Sequence, residues 1–130
     1  MKKGYFLKTC DTCKRILKEV NTNGFELQEI KSNPINATQL AEMYALSGSY
    51  ENLFNKRARL CKSLGLKNKI ISETNYKQYL LDEYTFLKRP VFIVDNDIFI
   101  GNSKPVVAAL KVKLFLKRII NNIYWMNILF

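Results

Sequence analysis

Apolar positions near the N-terminus predict a strand, a helix and a second strand. Residues 3–8 form a short aromatic-rich run flanked by lysines, which is typical of a strand. Residues 14–20 then carry apolar side chains at helical spacing, and residues 25–30 alternate between apolar and polar. Gly24 suits the left-handed position that ends a helix. Residues 1–33 are therefore predicted to form a βαβ half with parallel strands.

The segment that follows has a helical pattern throughout. Thr38 is the predicted cap of a helix that stops at the Ser-Gly-Ser sequence around Gly48. Shorter helices follow as far as Gly65, and Ser72 opens another one. Residues 35–86 are thus predicted to be a helical insertion in a simple α/β plan.

The next segment, residues 87–114, is predicted to form a ββα half. An apolar strand at 91–94 turns tightly and returns as an antiparallel strand at 98–100. Ser103 suits the cap of a last helix, with Pro105 in its first turn. The residues of this helix that we expect to face the sheet are Val106, Val107, Leu110, Val112 and Leu114.

The C-terminal residues 115–130 form a hydrophobic extension of a single domain spanning 1–130. The run is apolar and aromatic, yet lysine, arginine and asparagine interrupt it, which argues against a membrane span. We expect an amphipathic continuation of the last helix, packed on the domain or on a second copy as a homodimer. A membrane-surface role is the alternative.

Two cysteines three positions apart stand where the first strand runs into the first helix. Cys10 lies just before the predicted helix and Cys13 in its first turn. The thiolate is the reactive form of cysteine, and the unpaired N–H groups at a helix start stabilise an anion. Lys14 and Arg15 add positive charge nearby. We therefore predict that Cys10 is the nucleophile of a redox C-x-x-C and Cys13 the resolving thiol.

Two alternative interpretations of the C-x-x-C are a zinc site and a pair of unreactive buried cysteines. A zinc site needs two further ligands, but the chain has no histidine and its one other cysteine is Cys61. No metal is therefore expected. Two unreactive buried cysteines are the second alternative, and the polar Asp11 and Thr12 between them argue against it.

Composition limits the compartment and the partners. Three cysteines are an odd number and provide no disulfide framework, which fits a reducing compartment, and no signal-peptide core follows the N-terminus. We predict a cytoplasmic protein. The net charge of +10 is scattered along the chain, which favours a solvated surface over nucleic-acid binding. Attraction to anionic small molecules or acidic partners stays open.

The order of these elements and four motifs resemble the ArsC/Spx family of thioredoxin-fold proteins, which are related to arsenate reductases. The motifs are Thr9-Cys10-Asp11-Thr12-Cys13-Lys14-Arg15, Leu53-Phe54-Asn55-Lys56-Arg57, Leu64-Gly65-Leu66 and Leu87-Lys88-Arg89-Pro90-Val91. The resemblance covers residues 1 to about 114. It implies an α/β thioredoxin-like fold, with a mixed sheet of about four strands and the helical insertion between its βαβ and ββα halves.

The resemblance also implies roles for single residues. It makes Cys10 the catalytic cysteine and Arg89 the arginine that contacts a bound oxyanion in the reductases. Pro90 would be the cis-proline that faces the catalytic cysteine, and it is a predicted substrate-binding residue. Thr12 and Lys14, within the C-x-x-C motif, are predicted substrate-binding residues too.

Further positions distinguish branches of the family. Arg57 matches an arginine of the Spx-like branches, and we predict that it binds substrate. Asn55 and Asn102 stand where the reductases have two more arginines, which argues against turnover of arsenate. Cys13 resembles the Spx redox switch. Cys61 is interpreted as an inert buried thiol.

Two functions follow from these observations. The favoured one is a thiol–disulfide oxidoreductase with no bound cofactor, in which Arg89, helped by Arg57, holds an anionic group of the substrate or of glutathione. Glutathione, glutaredoxin or thioredoxin is the expected electron donor, with a redox protein as a partner. The alternative is a redox-sensing regulator that binds RNA polymerase.

Overall fold

The computed structural model describes residues 1–129, so Phe130, the last residue of the predicted extension, lies outside the described residues. The strands are β1 (Lys2–Phe6), β2 (Glu26–Glu29), β3 (Val91–Val94) and β4 (Asp97–Ile100). The α-helices are α1 (Asp11–Glu19), α2 (Ala37–Ser47), α3 (Arg59–Ser63), α4 (Glu73–Asp82) and α5 (Lys104–Leu129). Three short 3₁₀ turns are Glu51–Leu53, Leu66–Asn68 and Tyr84–Phe86.

The four strands form one mixed sheet in the order β2-β1-β3-β4. β1 pairs with β2 in parallel, as the βαβ pattern predicted, and with β3 antiparallel. β3 and β4 form the predicted antiparallel hairpin, in which Asp95 at the turn has a φ of 55°. Because α1 leaves the end of β1 and α5 leaves the end of β4, both helix starts lie near one end of the sheet.

The apolar strand β3 divides the core in two because successive side chains point to opposite faces of a sheet. Val91 and Ile93 belong to the cluster on the side of the helical insertion, whereas Phe92 and Val94 pack with α1 and α5. All four are buried. This double burial explains why β3 is a continuous apolar run with no polar alternation.

The structure corrects two predicted helix ends. Asn36, rather than Thr38, caps α2, because its side chain accepts the Gln39 N–H at 2.8 Å while the Gln39 side chain accepts the Asn36 N–H at 3.1 Å. Helix α1 ends at Glu19, and its C-cap, Val20, has an extended backbone. Gly24, with a φ of 79°, lies in the turn before β2 and does not form the predicted helix end.

Helix α5 begins as predicted, with the Val106 N–H donating to Ser103 Oγ at 3.4 Å. Val107 and Leu110 are buried against the sheet. The prediction for Val112 is wrong, because its side chain is 56% exposed. Two residues beyond Leu110, at about 100° per residue, place Val112 on the far side of the helix.

The same helix continues past the sheet as one uninterrupted element. The prediction that its end packs on its own domain is wrong, because many of its apolar side chains are exposed. These are Ile119, Ile120, Ile123, Tyr124, Trp125, Met126 and Ile128. Across residues 1–129, no helix is both long enough and apolar enough to span a bilayer.

Candidate active site

The candidate site is built on the first residues of α1. Cys10 is the N-cap: its backbone is extended (φ −91°, ψ 112°), and its carbonyl accepts the first helical bond from the Lys14 N–H at 3.1 Å. Its Sγ accepts the Cys13 N–H at 3.5 Å, the role that a serine or aspartate oxygen usually has at this position. The sulfur therefore lies at the positive end of the helix, as the sequence predicted.

This position lowers the pKa of the Cys10 thiol below its ordinary value. Burial acts in the opposite direction and raises the pKa, but three groups outweigh it. They are Cys13, through its backbone N–H and its thiol, the positive charge of Arg89, and the Thr12 N–H. Each of these stabilises the thiolate, so Cys10 is more ionised at neutral pH than a free cysteine.

Cys13 has the opposite environment. Its side chain is 0% exposed, and burial raises the pKa of its thiol to about 12. The nearby Cys10 sulfur adds to this rise, because two anions at one site repel each other. Both residues are free thiols. The pair therefore consists of one partly exposed, acidic thiol and one enclosed, weakly acidic thiol.

Arg89 is held beside this pair by the backbone that precedes β3. Its Nη1 donates to the Thr85 carbonyl at 3.2 Å and to the Leu87 carbonyl at 3.3 Å. Its Nε is buried and has no hydrogen-bond partner within the part of the chain that is described. Arg89 lies with Cys10 in the wall of one cavity. A guanidinium fixed by two backbone carbonyls thus stands near the sulfur.

The cavity has a volume of about 740 Å³, within the usual range for small-molecule sites. Its wall carries four basic side chains and one acidic side chain: Lys56, Arg57, Lys88, Arg89 and Glu51. Lys56 pairs with Glu51 at 2.6 Å, whereas Arg57, Lys88 and Arg89 have no acidic partner among residues 1–129. Asn55 and Asn102, the two amides predicted in place of arginines, also line it. The cavity is thus positively charged around one thiol.

The structure brings only some of the predicted site residues together. Cys10, Arg57 and Arg89 share the cavity wall, whereas Lys14 is exposed and pairs with Asp11 at 3.9 Å. Thr12 contributes its backbone N–H to the sulfur.

The resemblance implied a cis-proline at Pro90, and Cys61 was interpreted as an inert buried thiol. Pro90 is buried next to Arg89, and the Arg89–Pro90 peptide bond is cis. Cys61 is buried, and burial raises the pKa of its thiol. Its Sγ donates to the Asn55 carbonyl at 3.5 Å, a backbone contact consistent with an unreactive thiol.

Sequence reasoning missed part of the cavity wall. Lys56 and Lys88 line it although neither was predicted as a site residue. Both belong to motifs that carried the family resemblance, and that was the available signal. Ser103 and Asn52 also line the cavity, and no local pattern pointed to Asn52.

Comparison with known proteins identifies the family. The sequence profile of the ArsC family matches residues 5–110. The chain belongs to the ArsC family, a family of thiol-based oxidoreductases. A search of curated proteins finds no match.

Solved structures share the fold. An ArsC family related protein from Bacteroides fragilis is 21% identical, with a TM-score of 0.72 over 85% of this chain and 97% of its own. An arsenate reductase from Vibrio cholerae is 14% identical, with a TM-score of 0.66 over 81% and 91%. A Staphylococcus aureus protein is 26% identical, with a TM-score of 0.67 over 82% and 94%. The predicted α/β thioredoxin-like fold with a four-stranded mixed sheet is confirmed.

Proposed function

We propose that this chain is a thiol–disulfide oxidoreductase in which Cys10 is the nucleophile and Cys13 the resolving thiol. The observation that carries the proposal is the contrast within the pair. The pKa of Cys10 is lowered and its sulfur reaches the cavity, whereas Cys13 is enclosed and its pKa is about 12. An external disulfide can therefore meet only Cys10.

The reaction proceeds in two exchanges. The Cys10 thiolate attacks one sulfur of a disulfide, forms a mixed disulfide and releases the other sulfur as a thiolate, which takes up a proton. Cys13 then loses its proton and attacks Cys10 Sγ, which releases the second substrate thiol and leaves a Cys10–Cys13 disulfide. Two electrons have passed from the dithiol to the substrate.

Formation of the mixed disulfide also prepares Cys13 for its step. Part of the elevation of the Cys13 pKa comes from the Cys10 sulfur. Once that sulfur is covalently bound it carries no negative charge, so this part disappears and Cys13 becomes more acidic. The resolving thiol is therefore activated only when there is a bond for it to break.

The cations of the wall favour a substrate that carries a negative group. We assign the binding of this negative group to Arg89, and Arg57 lies in the wall of the same cavity. A guanidinium presents several donors in one plane to a carboxylate or an oxyanion. Asn55 and Asn102 supply amides in the wall but no charge. An anionic disulfide, including one that contains glutathione, therefore fits better than arsenate, whose retention depends on charge-assisted bonds.

A thiol must return the Cys10–Cys13 disulfide to the dithiol. Glutathione, glutaredoxin or thioredoxin supplies these two electrons in this proposal. The regulator hypothesis, in which the same pair senses oxidation and the chain binds RNA polymerase, stays a prediction. The cavity beside Cys10 favours a small anionic substrate over it.

The test compares turnover of an anionic disulfide, 5,5′-dithiobis(2-nitrobenzoate), with that of a neutral one, 2,2′-dithiodiethanol. Arg89→Gln should raise KM for the anionic substrate by about 10-fold or more, since hydrogen bonds to charged groups contribute about 1.5–3 kcal/mol each. The effect on the neutral substrate should be much smaller. Arg15→Gln removes the same charge from an exposed position paired with Glu19, and serves as the matched control.

Two results would overturn the proposal. One is full turnover by Cys10→Ser, which removes the nucleophile. The other is an equal change in KM for both substrates in Arg89→Gln, which would mean that Arg89 does not select the negative group.

A further inference from the structure

The exposed part of α5 carries an ordered apolar stripe, formed by Val112, Leu116, Ile119, Ile123 and Met126. Their exposed fractions are 56%, 49%, 36%, 51% and 57%. The spacing of four, three, four and three residues is that of the a and d positions of a heptad repeat, which bring one face of a helix against another helix. The stripe thus has the form of a helix-pairing surface without a partner among the described residues of its own chain.

The stripe lies outside the family domain, because the ArsC match ends at residue 110. Residues 112–129 continue α5 for about 27 Å at 1.5 Å per residue. The family match therefore ends before the stripe begins, although Leu114 still packs against the buried cluster that contains Val107 and Leu110.

Charges along the helix favour an apolar partner over an anionic bilayer. Three of its lysines are paired with acidic groups of the same domain: Lys111 with Glu19, Lys113 with Asp97 and Lys117 with Asp95. Within the described residues beyond Lys117, Arg118 is the one remaining cation, and its guanidinium lies 5.6 Å from the centre of the Phe115 ring. A helix that binds an anionic surface carries several cations along its polar face instead.

A shallow groove lies at the foot of the stripe. It has a volume of about 440 Å³ between α2, β4 and α5, and Leu46, Ile98, Phe99, Ala109 and Val112 contribute to its wall. Ala109 lies three residues before Val112 and is therefore the preceding a/d position of the heptad pattern. Its small side chain leaves space in the groove. A large apolar side chain arriving from outside would fill this space.

We propose that α5 pairs with α5 of a second copy in an antiparallel arrangement, stripe against stripe. In antiparallel pairs an a position of one helix packs against a d position of the other. That register places Leu116 opposite Ile119 and Val112 opposite Ile123. Met126 of each copy then lies over Ala109 and enters the groove of the other.

The arrangement is self-complementary, as a two-fold dimer requires, and it leaves no stripe residue free to recruit a third copy. The five exposed fractions correspond to roughly 400 Å² of apolar surface per copy, which is within the range of the largest apolar patch on a typical monomer, and such a patch is often functional. Two stripes and two grooves together approach the ~1,000 Å² that a specific interface needs. The thiol chemistry plays no part in this inference.

Sedimentation velocity of the full chain tests the pairing. The wild type should sediment with a mass of twice 15.2 kDa. Ile119→Glu should raise the dimer dissociation constant by about 100-fold or more, because each copy then buries a carboxylate in an apolar contact. Asn121→Glu adds the same charge at an exposed position about 200° around the helix, and should leave the dimer intact.

A mixing experiment tests the orientation. Val112→Glu and Ile123→Lys should each be monomeric alone, because a dimer of either variant would bury two unpaired charges against apolar side chains. Mixed in equal amounts they should form a heterodimer, since an antiparallel register brings position 112 of the first variant opposite position 123 of the second, where the introduced charges have opposite sign. In a parallel pair these positions do not meet, and the two charges would not pair. Failure of the mixture to dimerise would therefore overturn the antiparallel arrangement.

Three further outcomes would overturn the proposal. They are a monomeric wild type at high micromolar concentration, a larger assembly than a dimer, and a dimer that Ile119→Glu leaves unchanged. Vesicles of phosphatidylcholine with phosphatidylserine provide the comparison for a bilayer. Binding of a monomeric wild type to these vesicles would assign the stripe to a membrane surface instead.

Discussion

The sharpest prediction concerns which of the two cysteines reacts first with an external electrophile. Cys10→Ser and Cys13→Ser each remove one sulfur, keep a hydroxyl in its place and leave the buried Cys61 unchanged. We expect the Cys13→Ser variant to keep one fast-reacting thiol and the Cys10→Ser variant to have none. The physical reason is the difference in ionisation and in burial between Cys10 and Cys13.

The two pKa values determine the size of the effect. The pKa of Cys10 lies below its ordinary value of 9.0 and that of Cys13 is about 12. Near neutral pH, Cys10 therefore has about 1,000 times more thiolate or better. The more basic thiolate is the stronger nucleophile, so each Cys13 thiolate reacts about 15–30 times faster than a Cys10 thiolate in the same environment. A ratio of about 30–70-fold remains in favour of Cys10.

The Cys10→Ser variant itself reduces this ratio somewhat. Loss of the Cys10 sulfur removes the smaller causes of the raised Cys13 pKa, while burial, the largest cause, stays. We therefore expect alkylation by iodoacetamide to be at least about 10-fold slower in Cys10→Ser than in Cys13→Ser.

Mass spectrometry at successive times gives the rate of alkylation in each variant. The same reaction in urea, where every thiol is accessible, gives the total number of thiols. The rate in Cys13→Ser should rise with pH and level off once the thiolate population is complete, at a lower pH than for a thiol with the ordinary value of 9.0. Equal rates in the two variants would refute the reasoning. A Cys10 rate that levels off no earlier than that of a free cysteine would refute it as well.

Two further predictions concern stability. Asp95 accepts hydrogen bonds from Lys117 and from the amino group of Met1, and these contacts lower the pKa of its carboxyl to about 2. A lowered pKa contributes stability above the unfolded value near ~3.9, and this contribution is lost as the pH falls toward about 2. Asp95→Asn, which keeps the turn geometry, should therefore lower the free energy of unfolding by about 1 kcal/mol at neutral pH, given that the side chain is 41% exposed. Urea unfolding should show that difference shrink as the pH falls below ~4 and become small by pH ~2, and a constant difference across pH would contradict the linkage. Gly4→Ala should lower the free energy of unfolding by about 1–3 kcal/mol, because a Cβ there would lie 2.7 Å from Leu27 Cδ2 and 3.0 Å from the buried Phe92 ring. Unchanged stability in urea would mean that the neighbours move aside at little cost.

Local sequence patterns predicted most of the secondary structure and part of the candidate site. The short runs of β1 and β2, the apolar run of β3 and the cap at Ser72 all depend on neighbouring residues, and each was found. Two predicted helix ends failed, the one at Gly24 and the one at Thr38. Asn36 prevailed over Thr38 because it has a partner three residues later, in Gln39.

How well the position of a site residue could be predicted depended on its distance along the chain from the other site residues. Cys10 and Cys13 are three residues apart, so their position at the helix start followed from the sequence. Arg89 was assigned through the family resemblance, and the structure adds the carbonyls that hold it. Lys14 is next in sequence to the pair, yet the turn of the helix directs it to solvent and to Asp11.

The sequence by itself determined where the helix starts and which sulfur lies at its positive end, because capping involves residues within one turn of each other. Only the tertiary structure decided that a guanidinium from a distant part of the chain shares a cavity with that sulfur, and that the second thiol is completely enclosed. It also decided that the C-terminal stripe stays uncovered. Burial and long-range charge depend on which elements pack together, and this information is spread over the whole chain.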